Sequence, residues 1–350
     1  MTPRIKNMTA GIAPRRSEPT IAAGFARALM ELAVEKGASR AALAERSGID
    51  PGELEDQDNR IAYAKYVALM RAGQELARDP ALALHFGEAF EMAQLSIVGL
   101  IGSACETIAG AFAQLNRYGR LIADIDSPGD RLVLAHENGQ IWLVDTRANP
   151  NDFPELTESS FARMVCTSRR FGDAQLINAV HVTHPEPSYV AEYDRIFQVP
   201  VVFASDRNAL LMNGDAFLDI KVPLPSRYVF GVLSERAEAL LKSLENSKTT
   251  RGRVESVLMP ILHTGEAGME TVAAKMALSR QMLFRRLKAE GTTFEKVLDG
   301  LRHRLALDYL SGRKVSVNET AYLVGFSEPA AFSRAFKRWT GTSPRALRKS

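Results

Sequence analysis

The stretch VNETAYLVGFSEPAAFSRAFKRW, residues 317–339, decides the fold of the C-terminal part of this chain. Gly325 predicts a tight turn in its middle, because glycine adopts positive φ without strain. Pro329 suits the first turn of a following helix. The aromatic residues of that helix are spaced by four and three and form one stripe: Phe332, Phe336 and Trp339. Since a stripe of this kind faces a core, the stretch predicts a helix-turn-helix unit.

The second helix of this unit carries small, polar and basic residues on another face: Ala330, Ser333, Arg334 and Lys337. A helix of this kind, held in place by a partner helix, can enter the major groove of DNA. Arginine can hydrogen-bond two acceptor atoms on the edge of guanine in that groove. The pattern therefore indicates a DNA-binding surface.

An earlier segment, TVAAKMALSRQMLFRRLK at residues 271–288, has the same organisation. It predicts a short helix, a turn near Ala277 and a longer helix for which Ser279 is the N-cap. Leu283 and Leu287 lie four apart and face the core. The outward face carries residues that suit base reading, since glutamine pairs with adenine as arginine does with guanine: Gln281, Arg285 and Lys288.

A helical stretch at residues 294–310 connects the two segments. It is long enough to hold the two units at a fixed separation, so that both enter successive major grooves, roughly 34 Å apart. From residue 251 onward the chain has 18 Lys+Arg and 9 Asp+Glu, a net charge of +9, which leaves 26 and 32, a net of −6, for residues 1–250. A basic end on an acidic body indicates that this end binds a polyanion.

The C-terminal block resembles the AraC/XylS family of bacterial regulators. The residues that carry this resemblance are Ala273-Ala274, Ser279, Leu283, Arg286–Lys288, Gly291–Phe294, Arg304–Ala306, Leu310, Gly325-Phe326, Phe332–Arg338 and Gly341–Pro344. The front of the chain is similar to one subgroup, the regulators of the ornithine-utilisation and mycobacterial-virulence type. That similarity is carried by residues 95–121, 184–189, 200–203 and 223–225, with Tyr193 and Phe197.

The resemblance implies base contacts from both units. In the first unit they come from Gln281, Phe284 and Arg285, and in the second from Ala330, Ser333 and Arg334. The other expected DNA-binding residues are Ser279, Arg280, Lys288, Lys337 and Arg338. Phe284 either contacts a thymine methyl group or packs within the protein. The second helix either reads bases through Arg334 or positions the protein on phosphates. Arg286 and Arg338 have an alternative role as structural ion-pair partners.

The front of the chain predicts a mixed α/β domain. Strand-like runs at residues 131–135 and 140–145 flank Asn138-Gly139, a hairpin signal. Further strands are expected at residues 176–182, 201–203 and 209–212, among helices. The expected organisation is α+β: a tail at 1–19, an effector-sensing or dimerisation domain at 20–245, a linker at 246–253 and an all-α DNA-binding domain at 254–350.

Other kinds of site have little support in the sequence. No apolar run approaches the roughly 20 residues of a membrane span, and no secretory signal is seen, so a cytoplasmic, nucleoid-associated protein is expected. His181 and His184 point to opposite faces of a strand, which argues against a metal site. Residues 41–49 resemble the start of a helix-turn-helix, but the residues that follow are acidic and would repel DNA phosphates: Glu53, Glu55, Asp56 and Asp58. This segment is therefore expected to pack within the front domain and not to bind DNA. No catalytic grouping or cofactor motif is present, so no enzyme activity, cofactor or metal is expected.

The sequence therefore predicts a regulator that binds double-stranded promoter DNA, binds a small-molecule effector with its front domain and activates transcription through RNA polymerase. The resemblance implies effector sensing, homodimer formation or both for the front domain. An amino acid, an organic acid and a fatty acid are all open as the effector. One alternative is a sequence-tolerant architectural DNA binder whose front domain only oligomerises. Another is a DNA-bound enzyme with a reactive cysteine. Neither Cys105 nor Cys166 supports it, because neither has the basic or metal-ligating neighbours in sequence that would lower the pKa of its thiol.

Overall fold

The computed structural model describes residues 18–125, 129–171, 175–223, 225–311 and 315–349. The chain forms two compact units that divide between Leu241 and Lys242. Residues 1–17 of the expected tail lie outside the described residues. The front unit is mixed α/β and the second unit is helical, which confirms the predicted fold class.

The first part of the front unit is mainly helical. Its helices are α1 (Ala23–Glu35), α2 (Arg40–Ser47), α3 (Tyr63–Leu76), α4 (Leu82–Ala89), α5 (Met92–Leu95), α6 (Ile97–Ala104) and α7 (Ile108–Ile122). A small antiparallel sheet joins them, with the order β2-β1-β3: β1 is Thr20–Ala22, β2 Arg60–Ala62 and β3 Ala123–Asp124. After α2 comes a single 3-10 turn at Pro51–Leu54, so the segment at 41–49 packs within this unit through the buried Leu43 and Ile49.

The second part of the front unit is a five-stranded sheet with two helices. Its strands are β4 (Leu132–Glu137), β5 (Gln140–Asp145), β6 (Ile177–His181), β7 (Val201–Val202) and β8 (Ala209–Met212), in the order β4-β5-β8-β6-β7. Only the β6–β7 pair is parallel. The predicted hairpin is confirmed: Asn138 and Gly139 have φ of 51° and 75°, as a tight turn between β4 and β5 requires.

Helices α8 (Glu155–Ser168) and α9 (Val190–Phe197) pack against this sheet. The core between them includes Phe161, Val180, Tyr193, Phe197 and Leu210, all at most 1% exposed. Helix α8 also packs closely on α4, because a Cβ on Gly87 would lie 2.4 Å from the carbonyl oxygen of Ser159. This close approach makes α8 a central element of the front unit.

The long helix α10 (Arg227–Ser247) contains the point where the two units divide. The sequence predicted only residues 235–244 of it as helical. The expected linker, residues 246–253, comprises the end of α10, a short turn and the start of α11 (Thr250–Leu258), which Thr249 caps. A Cβ on Gly252 would lie 1.8 Å from the carbonyl oxygen of Asn246, so this turn is tightly packed.

The second unit is built on one core. Its other helices are α12 (Met269–Lys275), α13 (Arg280–Ala289), α14 (Phe294–Ser311), α15 (Val317–Leu323), α16 (Pro329–Thr340) and α17 (Pro344–Lys349). The predicted connector is confirmed as α14, an 18-residue helix. Leu301 and Leu310 of α14 are buried in the same core as Leu283, Leu287, Phe332 and Phe336. One helix therefore packs against both helix-turn-helix units.

Candidate DNA-binding surface

The turn of the first helix-turn-helix unit lies where the sequence predicted it. Ala277 has φ of 54°, and the N–H of Leu278 donates to the carbonyl of Ala273 at 2.9 Å. Helix α13 then begins with Ser279 as its N-cap, whose hydroxyl accepts from the N–H of Met282 at 3.1 Å. The cap satisfies a backbone donor that the first turn would leave unpaired. These contacts fix the direction in which α13 leaves the turn.

Helix α13 has one buried face and one exposed face. Leu283 and Leu287 are 0% and 1% exposed. All the expected DNA-binding residues of this unit are on the exposed side: Ser279, Arg280, Gln281, Phe284, Arg285 and Lys288. Phe284 is 52% exposed, so it does not pack in the core and is available to an apolar partner. Met282, which the sequence analysis missed, is 43% exposed on the same helix.

The turn of the second unit depends on Gly325 for two reasons. Its φ is 78°, in the left-handed region, and a Cβ there would lie 2.2 Å from the carbonyl oxygen of Leu262. Before the turn, Ser316 and Glu319 form a capping box that starts α15. After the turn, Pro329 occupies the first turn of α16, as predicted. Phe332 and Phe336 are both fully buried and hold α16 on the core.

The outward residues of α16 differ in how free they are. Ala330, Arg334, Lys337 and Arg338 are exposed. Ser333 is half-buried, and its hydroxyl donates to the carbonyl of Pro329 at 2.9 Å. Arg338 pairs with Asp299 of α14 at 2.9 Å, which favours the structural role that the sequence left open for it.

Ion pairs divide the basic residues of the surface into two groups. Arg280 pairs with Glu270 at 3.1 Å, and both side chains are about two-thirds exposed, at 68% and 67%. Exposed pairs of this kind exchange readily with other partners, because each contributes little. Within the described parts of the chain, Arg285, Lys288, Arg334 and Lys337 have no ion pair. These four cations are therefore available to DNA without breaking a contact.

Two contacts that the sequence analysis missed hold the surface together. Arg302 of α14 donates to the carbonyls of Val324 at 3.1 Å and Gly325 at 2.9 Å, and lies over the ring of Phe326 at 4.6 Å. It therefore fixes the turn of the second unit to the connector helix. Glu290, just after α13, accepts from the backbone N–H groups of Thr250 at 2.6 Å and Arg251 at 2.9 Å, and so caps α11.

Neither cysteine has the surroundings of a reactive group. Cys105 is buried and donates to the carbonyl of Ile101 at 3.3 Å. Burial raises the pKa of the Cys105 thiol and of the Cys166 thiol, which disfavours the nucleophilic thiolate. His181 and His184 have separate partners, Ser205 at 3.0 Å and the carbonyl of Pro185 at 2.9 Å. The residues that the structure describes contain no metal-ligand cluster and no helix long and apolar enough to cross a membrane.

Two helix-turn-helix units on one connector helix, joined to a mixed α/β unit, define a two-domain transcription regulator. Comparison with known families agrees: residues 37–219 match the arabinose-binding domain of AraC transcription regulators, and residues 272–350 match a helix-turn-helix domain. The chain therefore belongs to the AraC family. It is a DNA-binding transcription regulator, and not an enzyme, and its front unit is similar to the ligand-binding domain of that family.

Several relatives match along most of their length. The ornithine utilization regulator of Pseudomonas aeruginosa is 27% identical over 337 residues, which cover 93% of this chain and 95% of that protein. VirS of Mycobacterium tuberculosis is 25% identical over 333 residues, covering 91% and 93%. Among solved structures, the regulator CdpR from Pseudomonas aeruginosa covers 93% of this chain and 97% of its own, with 20% identity and a TM-score of 0.40.

Proposed function

We propose that the protein is a sequence-specific activator of transcription that binds promoter DNA through α13 and α16 under the control of a small-molecule effector. The observation that carries this proposal is the exposed face of α13. Gln281 and Arg285 project from a helix that is capped and held on the core, and Arg285 has no ion pair within the described residues. Side chains that are free and positioned in this way suit direct reading of base edges.

The two helices have different roles in this proposal. Helix α13 reads bases through Gln281 and Arg285, and Phe284 contacts a thymine methyl group. Helix α16 places Arg334 at the groove, while Ser333 contributes through its remaining acceptor capacity. The other residues bind phosphates and set the position of the protein: Ser279, Arg280, Lys288, Lys337 and, where it exchanges its partner Asp299, Arg338. Ala330 allows close approach of α16 to the DNA.

The front unit binds the effector and forms a homodimer. The start of α10 supports the dimer, because three neighbouring apolar side chains there are exposed: Tyr228 at 82%, Val229 at 43% and Val232 at 51%. A second copy of the chain is the partner that buries this patch in the proposal. A ligand that prefers one arrangement of the front unit shifts the population able to bind DNA and recruit RNA polymerase.

The first test is a footprint of the full-length protein on DNA upstream of its own gene, with scrambled DNA as competitor. Variants Arg285→Ala and Arg334→Ala are compared with Arg40→Ala, which removes an exposed arginine of the front unit. A discrete site that resists scrambled competitor and weakens in Arg285→Ala supports the proposal. Diffuse protection lost equally to both DNAs supports the architectural alternative. A promoter–reporter assay then separates activation from repression.

A further inference from the structure

Two large apolar side chains of α13 are exposed to solvent. Met282 is 43% exposed and Phe284 is 52% exposed, whereas Leu283 between them is fully buried. Within the parts of the second unit that the structure describes, the other exposed large apolar side chains lie on other elements: Met259 just after α11 and Tyr322 on α15. Because single exposed apolar residues are common on protein surfaces, their position on the helix decides whether they have a role.

The two apolar side chains lie on either side of the polar residues that face outward. Arg285 lies on the side of α13 opposite the buried face. At about 100° per residue, Met282 lies about 60° from Arg285 in one direction around the helix axis, and Phe284 lies about 100° from it in the other. Gln281 falls between Arg285 and Phe284, about 40° from Arg285. The outward face of α13 is therefore a polar stripe with one apolar side chain at each border.

The N-cap of α13 places Met282 in the first turn of the helix. Its N–H donates to the hydroxyl of Ser279 at 3.1 Å, so its backbone is held by the contact that starts the helix. The residues near the N-terminus of a recognition helix are the ones that contact base edges. Along the helix axis Met282 is about 4.5 Å from Arg285, at about 1.5 Å per residue. Its side chain therefore reaches the same part of the groove as the polar stripe.

The major groove offers an apolar side chain one kind of partner. Base edges present hydrogen-bond donors and acceptors there, and the one apolar group is the C5 methyl of thymine. The modified base 5-methylcytosine has a methyl group at the same ring position. A methionine or phenylalanine placed against a donor or acceptor would remove its water without replacing the hydrogen bond, which is unfavourable. Met282 and Phe284 therefore suit methyl groups and disfavour the polar base edges.

We propose that α13 reads a target in which C5-methyl pyrimidines lie on both sides of the base pairs that Gln281 and Arg285 bind. Phe284 contacts one of the two methyl groups and Met282 contacts the other, so Met282 is a further specificity-determining residue. The inference rests on the proposed function, because α13 must lie in the major groove for both contacts to form. It adds to that function the class of DNA target: a site with a methyl group at each border of the polar stripe.

The first test removes methyl groups from the DNA and leaves the full-length protein unchanged. In the half of the footprinted site that Arg285→Ala weakens, each thymine is replaced in turn by deoxyuridine, which lacks only the C5 methyl group. Competition binding should show two positions at which deoxyuridine lowers affinity about 4-fold, the value of one buried methyl group. A second set of DNAs carries 5-methylcytosine at each cytosine, and a rise of about 4-fold there would identify that base as the source of a methyl group. Methyl dependence at fewer than two positions in both sets together overturns the proposal.

Alanine variants then assign each methyl group to a side chain. Phe284→Ala should abolish the dependence on the methyl group at one of the two positions, and Met282→Ala should abolish it at the other. Met259→Ala and Tyr322→Ala are the matched controls, because they remove side chains that are 50% and 53% exposed from elements outside α13. Both controls should keep the dependence at both positions. If Met282→Ala also keeps both, Met282 does not read the DNA and the proposal is wrong.

The same measurements separate base reading from other roles of the two side chains. A side chain that only stabilises α13 would lower affinity for methylated and unmethylated sites by the same factor when it is removed, so the methyl dependence would persist. An apolar pair that another protein molecule covers would also leave the methyl dependence unchanged. A discrete footprint without methyl dependence keeps the proposed function and refutes methyl reading, whereas diffuse protection refutes both.

Discussion

The two recognition helices, α13 and α16, occupy equivalent places in their units but present different chemistry. Helix α13 offers Gln281, Phe284 and Arg285 on a capped helix, all exposed. Helix α16 offers Ala330, which has no polar group, and Ser333, whose hydroxyl already donates within the helix. Two helices with similar places in their units can thus present different chemical groups to DNA. In our proposal the first helix-turn-helix unit therefore reads bases, whereas the second mainly positions the protein.

The largest expected effect comes from Gly325→Ala, which disrupts the second helix-turn-helix unit and leaves the first unchanged. This substitution puts a methyl group against the carbonyl of Leu262, at a residue whose own φ is positive. It should lower the free energy of unfolding of the helical C-terminal unit by about 3 kcal/mol or more. Gly341→Ala is the matched control, because Gly341 has the same φ of 78° but open space around its Cα. It should cost about 1–2 kcal/mol.

The chain offers a direct measurement of this difference. It has two tryptophans, Trp142 in the front unit and Trp339 in α16. In a Trp142→Phe background, the fluorescence of Trp339 reports unfolding of the helical C-terminal unit. Equal losses of stability in the two glycine variants would mean that the close contact with Leu262 is relaxed at little cost.

A smaller effect, on DNA affinity, should distinguish a residue that reads bases from one that positions the protein on the DNA backbone. Arg285→Ala should lower affinity for the specific site by about 1–3 kcal/mol and leave binding to scrambled DNA nearly unchanged. Arg334→Ala should weaken binding to both DNAs by similar amounts if α16 mainly positions the protein. Competition binding at one fixed salt concentration measures both ratios. A loss of discrimination in Arg334→Ala equal to that in Arg285→Ala would show that both helices read bases.

The salt dependence of binding sharpens the same comparison. Lys337→Ala should reduce the slope of log affinity against log salt by about 1, because one phosphate contact is lost. Gln281→Ala should leave the slope unchanged and reduce sequence preference instead. Binding curves at several salt concentrations test this. If Lys337→Ala leaves the slope unchanged, the phosphate contact that we assign to α16 is wrong.

The smallest effect concerns Arg338. Its pair with Asp299 is largely exposed, so a double-mutant cycle with Arg338→Ala and Asp299→Ala should give a coupling energy of about 0.2–1 kcal/mol in stability. The salt slope should stay the same in Arg338→Ala if this residue stabilises the fold only. A lower slope would place Arg338 on a phosphate in the complex.

The sequence predicted features that depend on local backbone chemistry. The turns at Ala277 and Gly325, the N-cap at Ser279 and the hairpin at Asn138-Gly139 are all confirmed, because each residue acts on its own neighbours. The buried stripes of α13 and α16 are also confirmed, since apolar spacing directly reports the face that meets a core. The DNA-contacting residues themselves stay a prediction.

Other features could not be predicted because they depend on distant parts of the chain. Strands of two or three residues, such as β1 and β3, are too short for alternation to show. Arg302 and Glu290 look like ordinary surface charges, and their roles appear only when the turn of the second unit and the start of α11 lie beside them. The burial of Arg163 in α8, where it is 5% exposed, could not be predicted either, since sequence patterns assign charged residues to the surface.

The capping of α11 by Glu290 has a practical consequence for constructing chimeric regulators. A fragment cut at residue 254 would lack the N–H groups of Thr250 and Arg251, so the Glu290 carboxylate, just after α13, would lose both of its donors. A fragment that begins at Lys242 keeps these groups and the packed turn at Gly252. Domain exchange with other regulators should therefore use the junction at Leu241 and Lys242, because the transferred segment then contains both Glu290 and the two backbone N–H groups that it binds.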